Sequence, residues 1–400
     1  MTTRTYTGPR VFPRLPLNHP KDRNLRRQAV RRCQKGTIVQ PLKGYFADTQ
    51  EWRSLSAAQR IIATLYAISV VHAFWVVSGI SAALLYGCFD GGKKLGHLHK
   101  NLHFAMDQHT CTRRRKTLHQ RHHYIPDSRP YKEIEEAYQQ NTLVSDSIFP
   151  SIARIPFLYK AITATVGILN GLPITSPLQT IFDLMRLLPF DLAVPACNHI
   201  LHLFRISRAD LLAFLETRTR CKRYRYVFAN LRFTTGQPEN EAESLALVEM
   251  IKAGFVMPKM QIEFPNVFYG KRVMRKPWMK DTRTHRVDYA WRIESNGQKT
   301  YLIAELDGFE KYSNPNMIEA VGARTERDVF YQQVDRDNSL MQQGCRIQHF
   351  SYDDAAYDHA ENLIMKLEAL GVPRVSDAVM AQRREAIALS FNDPSLLQLD

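Results

Sequence analysis

Three acidic residues stand where acids are costly. Asp288 interrupts Arg286-Val287-Asp288-Tyr289-Ala290-Trp291, and Glu305 and Asp307 fall within Tyr301-Leu-Ile-Ala-Glu-Leu-Asp-Gly308. Both stretches read as mostly apolar strands, where a carboxylate without a partner is destabilising. Residues two apart in a strand project from one face, so Glu305 and Asp307 share theirs. If the Asp288 strand pairs beside them, three carboxylates gather at one sheet end. Clustered carboxylates repel one another, which makes them a natural seat for Mg2+ or Mn2+. Such a cation takes oxygen ligands, keeps several waters, polarises a phosphoryl oxygen and acidifies bound water. That is phosphodiester hydrolysis. The alternative is that these are edge-strand or turn acids, since Asp307-Gly308 is also a common turn signal.

The elements that must position these acids follow from periodicity and punctuation. A helix is expected over about 240–253, ended by Gly254, then strands at 260–264, 285–291 and 300–307. A helix over about 325–343 ends at Gly344, followed by a strand at 346–352 and a helix at about 354–370. Helix, three strands, helix, strand, helix predicts an α/β fold with a mixed sheet flanked by helices.

The same stretch carries a series of short matches in order. They are Glu243-Ser244, Leu247, Ala253-Gly254-Phe255, Pro258 and Gln261, then Arg286 to Trp291, Glu305 to Gly308 and Lys311-Tyr312. Glu326-Arg327-Asp328, Asp335-Arg336-Asp337, Leu340, Gly344, Arg346-Ile347 and Phe350 close it. Over about 238–355 the chain resembles PD-(D/E)XK nuclease-like domains related to very-short-patch repair endonucleases. The resemblance implies a restriction-endonuclease-like fold in which Asp288 and Glu305 hold the metal, with Glu243 as a further acidic ligand. The family pattern expects a lysine two residues after the glutamate; this chain has Asp307 there, and Lys311 or Arg336 would have to supply the positive charge. Glu243, Asp288, Glu305, Asp307 and Lys311 are therefore the candidate catalytic residues. Two readings follow: a metal-dependent endonuclease acting on double-stranded DNA, or a DNA-binding regulator whose nuclease domain is degenerate.

Upstream, Gly171-Leu-Pro-Ile-Thr-Ser-Pro-Leu-Gln-Thr-Ile-Phe-Asp-Leu184 resembles the abortive-infection type of antitoxin or transcriptional regulator. Val77-Ser78, Ser81 to Leu84 and Gly87 resemble that family's winged-helix segment. The resemblance implies a mainly helical DNA-binding region over 51–225 and a setting in bacterial defence or a toxin–antitoxin system. Helices are expected at 57–73 behind Ser56, from Ser78 or Ser81 to Gly87, and at 178–188, 191–204 and 207–217, the last capped by Ser207 with Asp210. Residues 126–160 read as an irregular insertion. The nuclease-like domain is placed at 236–372, with 373–400 as a tail.

Composition bounds the rest. The chain has 400 residues, a net charge of +15 and a pI near 9.6, a surplus that attracts polyanions. Residues 1–50 hold eleven Lys and Arg against two Asp and no Glu, which reads as a loose basic arm unable to fold alone. The run Arg113-Arg114-Arg115-Lys116 in the histidine-rich stretch 93–124 is expected to face a phosphate backbone; its His and Cys spacings match no zinc template. The run 61–89 lacks Asp, Glu, Lys and Arg and is long enough to span a bilayer. Ser78-Gly79 breaks it and His72 lies within it, so no membrane is expected. Six scattered cysteines without a CxxC pair, and no secretory leader, point to reduced thiols in a cytoplasmic protein.

Overall fold

Polar caps and glycines divide the chain much as its pattern suggests. The computed structural model describes residues 11–12, 20–72, 75–88, 101–106, 120–125, 144–148, 155–159, 161, 163–270, 282–295, 297–307, 319 and 323–388. The fold is mixed α/β and divides into two units, one of Met1–Pro189 with Leu203–Arg232, the other of Phe190–His202 with Phe233–Leu389.

In the first unit, β1 (Val11–Phe12), α1 (Pro20–Gln34), β2 (Ile38–Leu42), β3 (Tyr45–Asp48) and α2 (Thr49–Ser54) come first. The loose arm expected at 1–50 is thus replaced, from Pro20 on, by a helix and a hairpin. Its core is Ile38, Tyr45, Phe46 and Ala47, all buried, and Gly44 supplies the left-handed turn at φ 86°. These few apolar residues bury together because the basic ones face outward. Ser56 and Gln59 then form a reciprocal capping box at the start of α3 (Ala57–Val71). That helix stops before β4 (Val76–Val77) and α4 (Gly79–Leu85). No helix among the described residues is long and apolar enough to cross a membrane.

Next come β5 (Leu102–Met106), β6 (Gln120–Tyr124), β7 (Val144–Ile148), β8 (Ile155–Tyr159), β9 (Val166–Leu169) and β10 (Leu172–Thr175). With β4 they make a seven-stranded sheet in the order β6-β5-β4-β10-β9-β8-β7. A mainly helical region was expected here, and the sheet corrects that. The β9–β10 hairpin explains the difference: Asn170 and Gly171 both take positive φ, 46° and 77°, the geometry of a two-residue hairpin turn. The helices α5 (Pro177–Leu187), α6 (Phe190–Leu203), α7 (Arg208–Glu216) and α8 (Tyr224–Leu231) follow. Ser207 and Asp210 cap α7 reciprocally, as expected.

The second unit takes in most of α6, which the sequence reading left upstream. Asn198 Oδ1 accepts from Thr235 N at 2.9 Å and Gly236 N at 3.1 Å, fixing the chain where it re-enters this unit. Then come α9 (Glu241–Ala253), β11 (Lys259–Pro265), β12 (Thr284–Ser295), β13 (Gln298–Asp307), α10 (Glu326–Met341) and β14 (Arg346–Ser351). The sheet order is β11-β12-β13-β14, with β14 parallel to β13 and the other pairs antiparallel. Helix, three strands, helix, strand is the order read from the sequence. The single helix expected after β14 is instead α11 (Tyr352–Ala356) and α12 (Glu361–Leu370), parted by a short turn in which Asp358, His359 and Ala360 have φ near 50–60°. Residues 373–400 are more than a tail, since α13 (Asp377–Ala388) belongs to this unit.

Candidate active site

Asn240 caps α9 by accepting from Glu243 N at 2.9 Å, and this places Glu243 on the first turn. Its carboxylate is almost fully buried, 4% exposed. Oε2 accepts from Glu239 N at 2.8 Å and from Gln261 Nε2 at 3.0 Å, and Oε1 from Asn240 Nδ2 at 2.6 Å. Gln261 reaches it from β11 with a left-handed φ of 55°, between the register pairs Met260–Tyr289 and Ile262–Val287. That register brings Gln261 beside Asp288.

Asp288 lies on β12, half-buried, and its Oδ2 accepts from Leu306 N at 2.9 Å. This bond ties the Asp288 side chain to the residue after Glu305. Glu305 is 3% exposed, and Arg336 Nη2 from α10 pairs with its Oε1 at 2.7 Å while also donating to the Arg286 carbonyl oxygen. Glu243, Asp288 and Glu305 thus arrive from a helix and two strands. Tyr289, beside Asp288 on β12, donates its hydroxyl to the Glu243 carbonyl oxygen at 2.7 Å. Burial pushes that phenol well above its ordinary range, and the negative charges of Glu243, Asp288 and Glu305 add to the push. The Glu243 carboxyl is itself raised to about 7, by burial first and by repulsion from Asp288 and Glu239, against the lowering effect of its N–H donors. A group poised there can hold or release a proton near neutrality.

A second constellation flanks the first. Glu305 is paired in register with His349 on β14. His349 Nε2 lies 3.0 Å from Asp337 Oδ2, and Nδ1 lies 3.1 Å from Asp307 Oδ2. The Asp337 contact is a well-aligned hydrogen bond, whereas the Asp307 contact is off-axis, an attraction of charge more than a directed bond. Gln333 Nε2 holds the other Asp337 oxygen at 3.0 Å. Flanked by Asp307 and Asp337, the imidazole is raised to about 10 and is a cation at neutral pH.

No family model, curated protein or solved structure matches this chain. The reading of the site therefore stands on its geometry. Asp288 and Glu305 fall opposite one another on β12 and β13, Glu243 is joined to β11 through Gln261, and Asp307 contacts His349. Arg336, expected as a positive charge for nucleic acid, lies against Glu305 instead. Lys311 and the run Arg113 to Lys116 fall outside the described residues. Among the described residues no group of three or more His, Cys, Asp or Glu side chains is arranged to hold a metal ion. His349, Asp337, Gln333 and Tyr289 had no assigned role in the sequence reading. The titratable side chain between Ile347 and Phe350 on a strand was the available signal for the first of them.

Proposed function

We propose that the second unit is a divalent-metal-dependent nuclease module acting on double-stranded DNA, with a restriction-endonuclease-like arrangement of helix, three strands, helix and strand. The observation that carries this reading is the register of β12 and β13, which sets Asp288 opposite Glu305, with Glu243 joined to the neighbouring β11 through Gln261. Neighbouring carboxylates disfavour one another's charge, and a cation relieves them. The Glu243 carboxyl, raised in part by Asp288, bears that strain. Carboxylate oxygens are the donors that Mg2+ or Mn2+ takes: Asp288 and Glu305 would hold the ion, with Glu243 adjoining, although the described side chains are not arranged as a ligand group. When bound, the ion would polarise a phosphoryl oxygen and acidify water.

The chain's own residues have separable parts in this scheme. Leu306 N orients Asp288 through Oδ2. Arg336 holds Glu305 in place. Gln261, Asn240 and the Glu239 amide fix the Glu243 carboxyl. His349, held by Asp337, places a positive charge next to the residue where the family pattern has lysine.

A second reading, a DNA-binding regulator with a degenerate nuclease domain, is favoured by two observations: Asp307 replaces that lysine, and Arg336 already neutralises Glu305. The resemblance alone implies a setting in bacterial defence. Plasmid incubated with the protein in Mg2+, Mn2+ or EDTA separates the readings. Nicking with metal, lost in EDTA and in Asp288→Asn, is expected; binding without nicking in every metal would transfer the assignment to the regulator.

A further inference from the structure

We infer that α1 is a polyanion-binding helix whose arginine face lies against the phosphate backbone of duplex DNA. The helix runs Pro20-Lys-Asp-Arg-Asn-Leu-Arg-Arg-Gln-Ala-Val-Arg-Arg-Cys-Gln34, with five arginines. At 100° per residue, Arg23, Arg26, Arg27, Val30, Arg31 and Gln34 form one continuous stripe along its length. These same six residues line a solvent-open trough of about 450 Å3. Arg23, Arg27, Arg31 and Arg32 are exposed and Arg26 is half-buried. Ala29 and Cys33, also half-buried, share one side of the helix. So the helix has a packed side and a charged side, and the charged side is stocked with one chemistry.

That chemistry fits a phosphodiester backbone. Arg27 and Arg31 are one i, i+4 step apart, a rise of about 6 Å, along a duplex that carries one negative charge per ~1.7 Å of axis. Arginine's planar fork matches phosphate oxygens in pairs, which a row of lysines would not. An anionic lipid surface fits less well. A membrane-surface helix buries a broad face of Leu, Phe or Trp, whereas the exposed apolar residues of α1 are Leu25 and Val30, which lie about 140° apart around the helix.

This inference rests on the nucleic-acid part of the reading above, and the test is built to fail separately from the nuclease. Binding of the full chain to a fluorescent duplex is measured in EDTA across a salt series, for wild type and for Arg26→Gln/Arg27→Gln/Arg31→Gln. Glutamine keeps helix propensity while removing charge, and circular dichroism verifies the fold. Each lost phosphate contact lowers the slope of log affinity against log salt by about 0.9. The triple variant should therefore flatten it by about 2.7, so that a fourfold rise in salt costs it roughly 40-fold less affinity than it costs wild type. Each single substitution should take a share, which keeps the test alive if the triple variant misfolds. Lys259→Gln/Arg292→Gln/Lys299→Gln removes equal charge from the exposed residues of the second unit and should leave the slope nearly unchanged.

An unchanged slope in the α1 variant, or an equal fall in both triples, overturns the inference. So does loss of binding to vesicles of phosphatidylserine and phosphatidylcholine with duplex binding intact. A flattened slope in a protein that never nicks plasmid supports the role of α1 and removes the nuclease. An unchanged slope in a protein that does nick removes α1 alone.

Discussion

Replacing Asp288 with asparagine keeps an oxygen for the Leu306 N–H and removes the charge. Asp288→Asn should abolish metal-dependent nicking while its urea unfolding midpoint stays close to wild type. Asp288→Ala should lose nicking too, and also about 1 kcal/mol of stability, because the Leu306 amide is left without its acceptor. Wild-type nicking by Asp288→Asn would make these acids structural. His349 gives a different signature. Its folded pKa is raised to about 10 from 6.5 by Asp307 and Asp337. The folded chain therefore holds a proton that the unfolded chain releases between those values, so this contribution is complete below pH 6.5 and fades as pH rises toward 10. The stability difference between wild type and His349→Gln should shrink across that window; a constant difference would remove the charge cluster from the account. The acids were legible in the sequence because a carboxylate in an apolar strand is conspicuous. The His349–Asp337 pair was not, because its partners lie on α10 and β14 and meet only through packing that no local periodicity reports.

Elements with a chemical stop at each end were read closely. Ser56 and Ser207 start α3 and α7, and Asn240 and Gly254 bound α9, the glycine at φ 88°. The β9–β10 hairpin was missed although Asn170-Gly171 between apolar runs is a strong turn signal. Its two strands are only four residues each and contain Gly167 and Pro173, so neither shows a strand's signature. The C-terminal helix was missed for another reason: charged residues break up the apolar ones of α13, and a buried cation helps to hold it. Arg383 Nη1 donates to the Phe255 carbonyl oxygen at 2.7 Å and the Ile251 carbonyl oxygen at 3.3 Å, and its guanidinium lies over the Phe233 ring. Arg383→Met should keep much of the bulk and remove the donors, lowering the unfolding free energy by about 2 kcal/mol. An unchanged thermal midpoint would show that α13 is held by something else.

At the level of the whole molecule, the chain does not divide at one point. It leaves the first unit at Phe190, returns at Leu203 and leaves again at Phe233. A single boundary near 225–238 captures the second departure, and the sequence offered no break in composition to betray the first. A fragment starting at residue 233 therefore loses α6, including Asn198 and the edge-on ring of Phe190 against Phe233. That fragment should unfold at lower urea than the same unit in the intact chain and expose apolar surface to a hydrophobic dye. Coincident transitions would show that α6 is dispensable. The double crossing also sets a schedule for synthesis. Once α6 has left the ribosome, its partners from Phe233 onward do not yet exist, while Leu203–Arg232 arrives next and joins the other unit. At about 5–20 residues per second, the apolar side of α6 waits for seconds before Phe233 and α9 emerge, and for roughly 7–30 s before β14 closes the sheet. During that interval a nascent chain carries an orphaned helix, which makes α6 the natural point for a chaperone to engage.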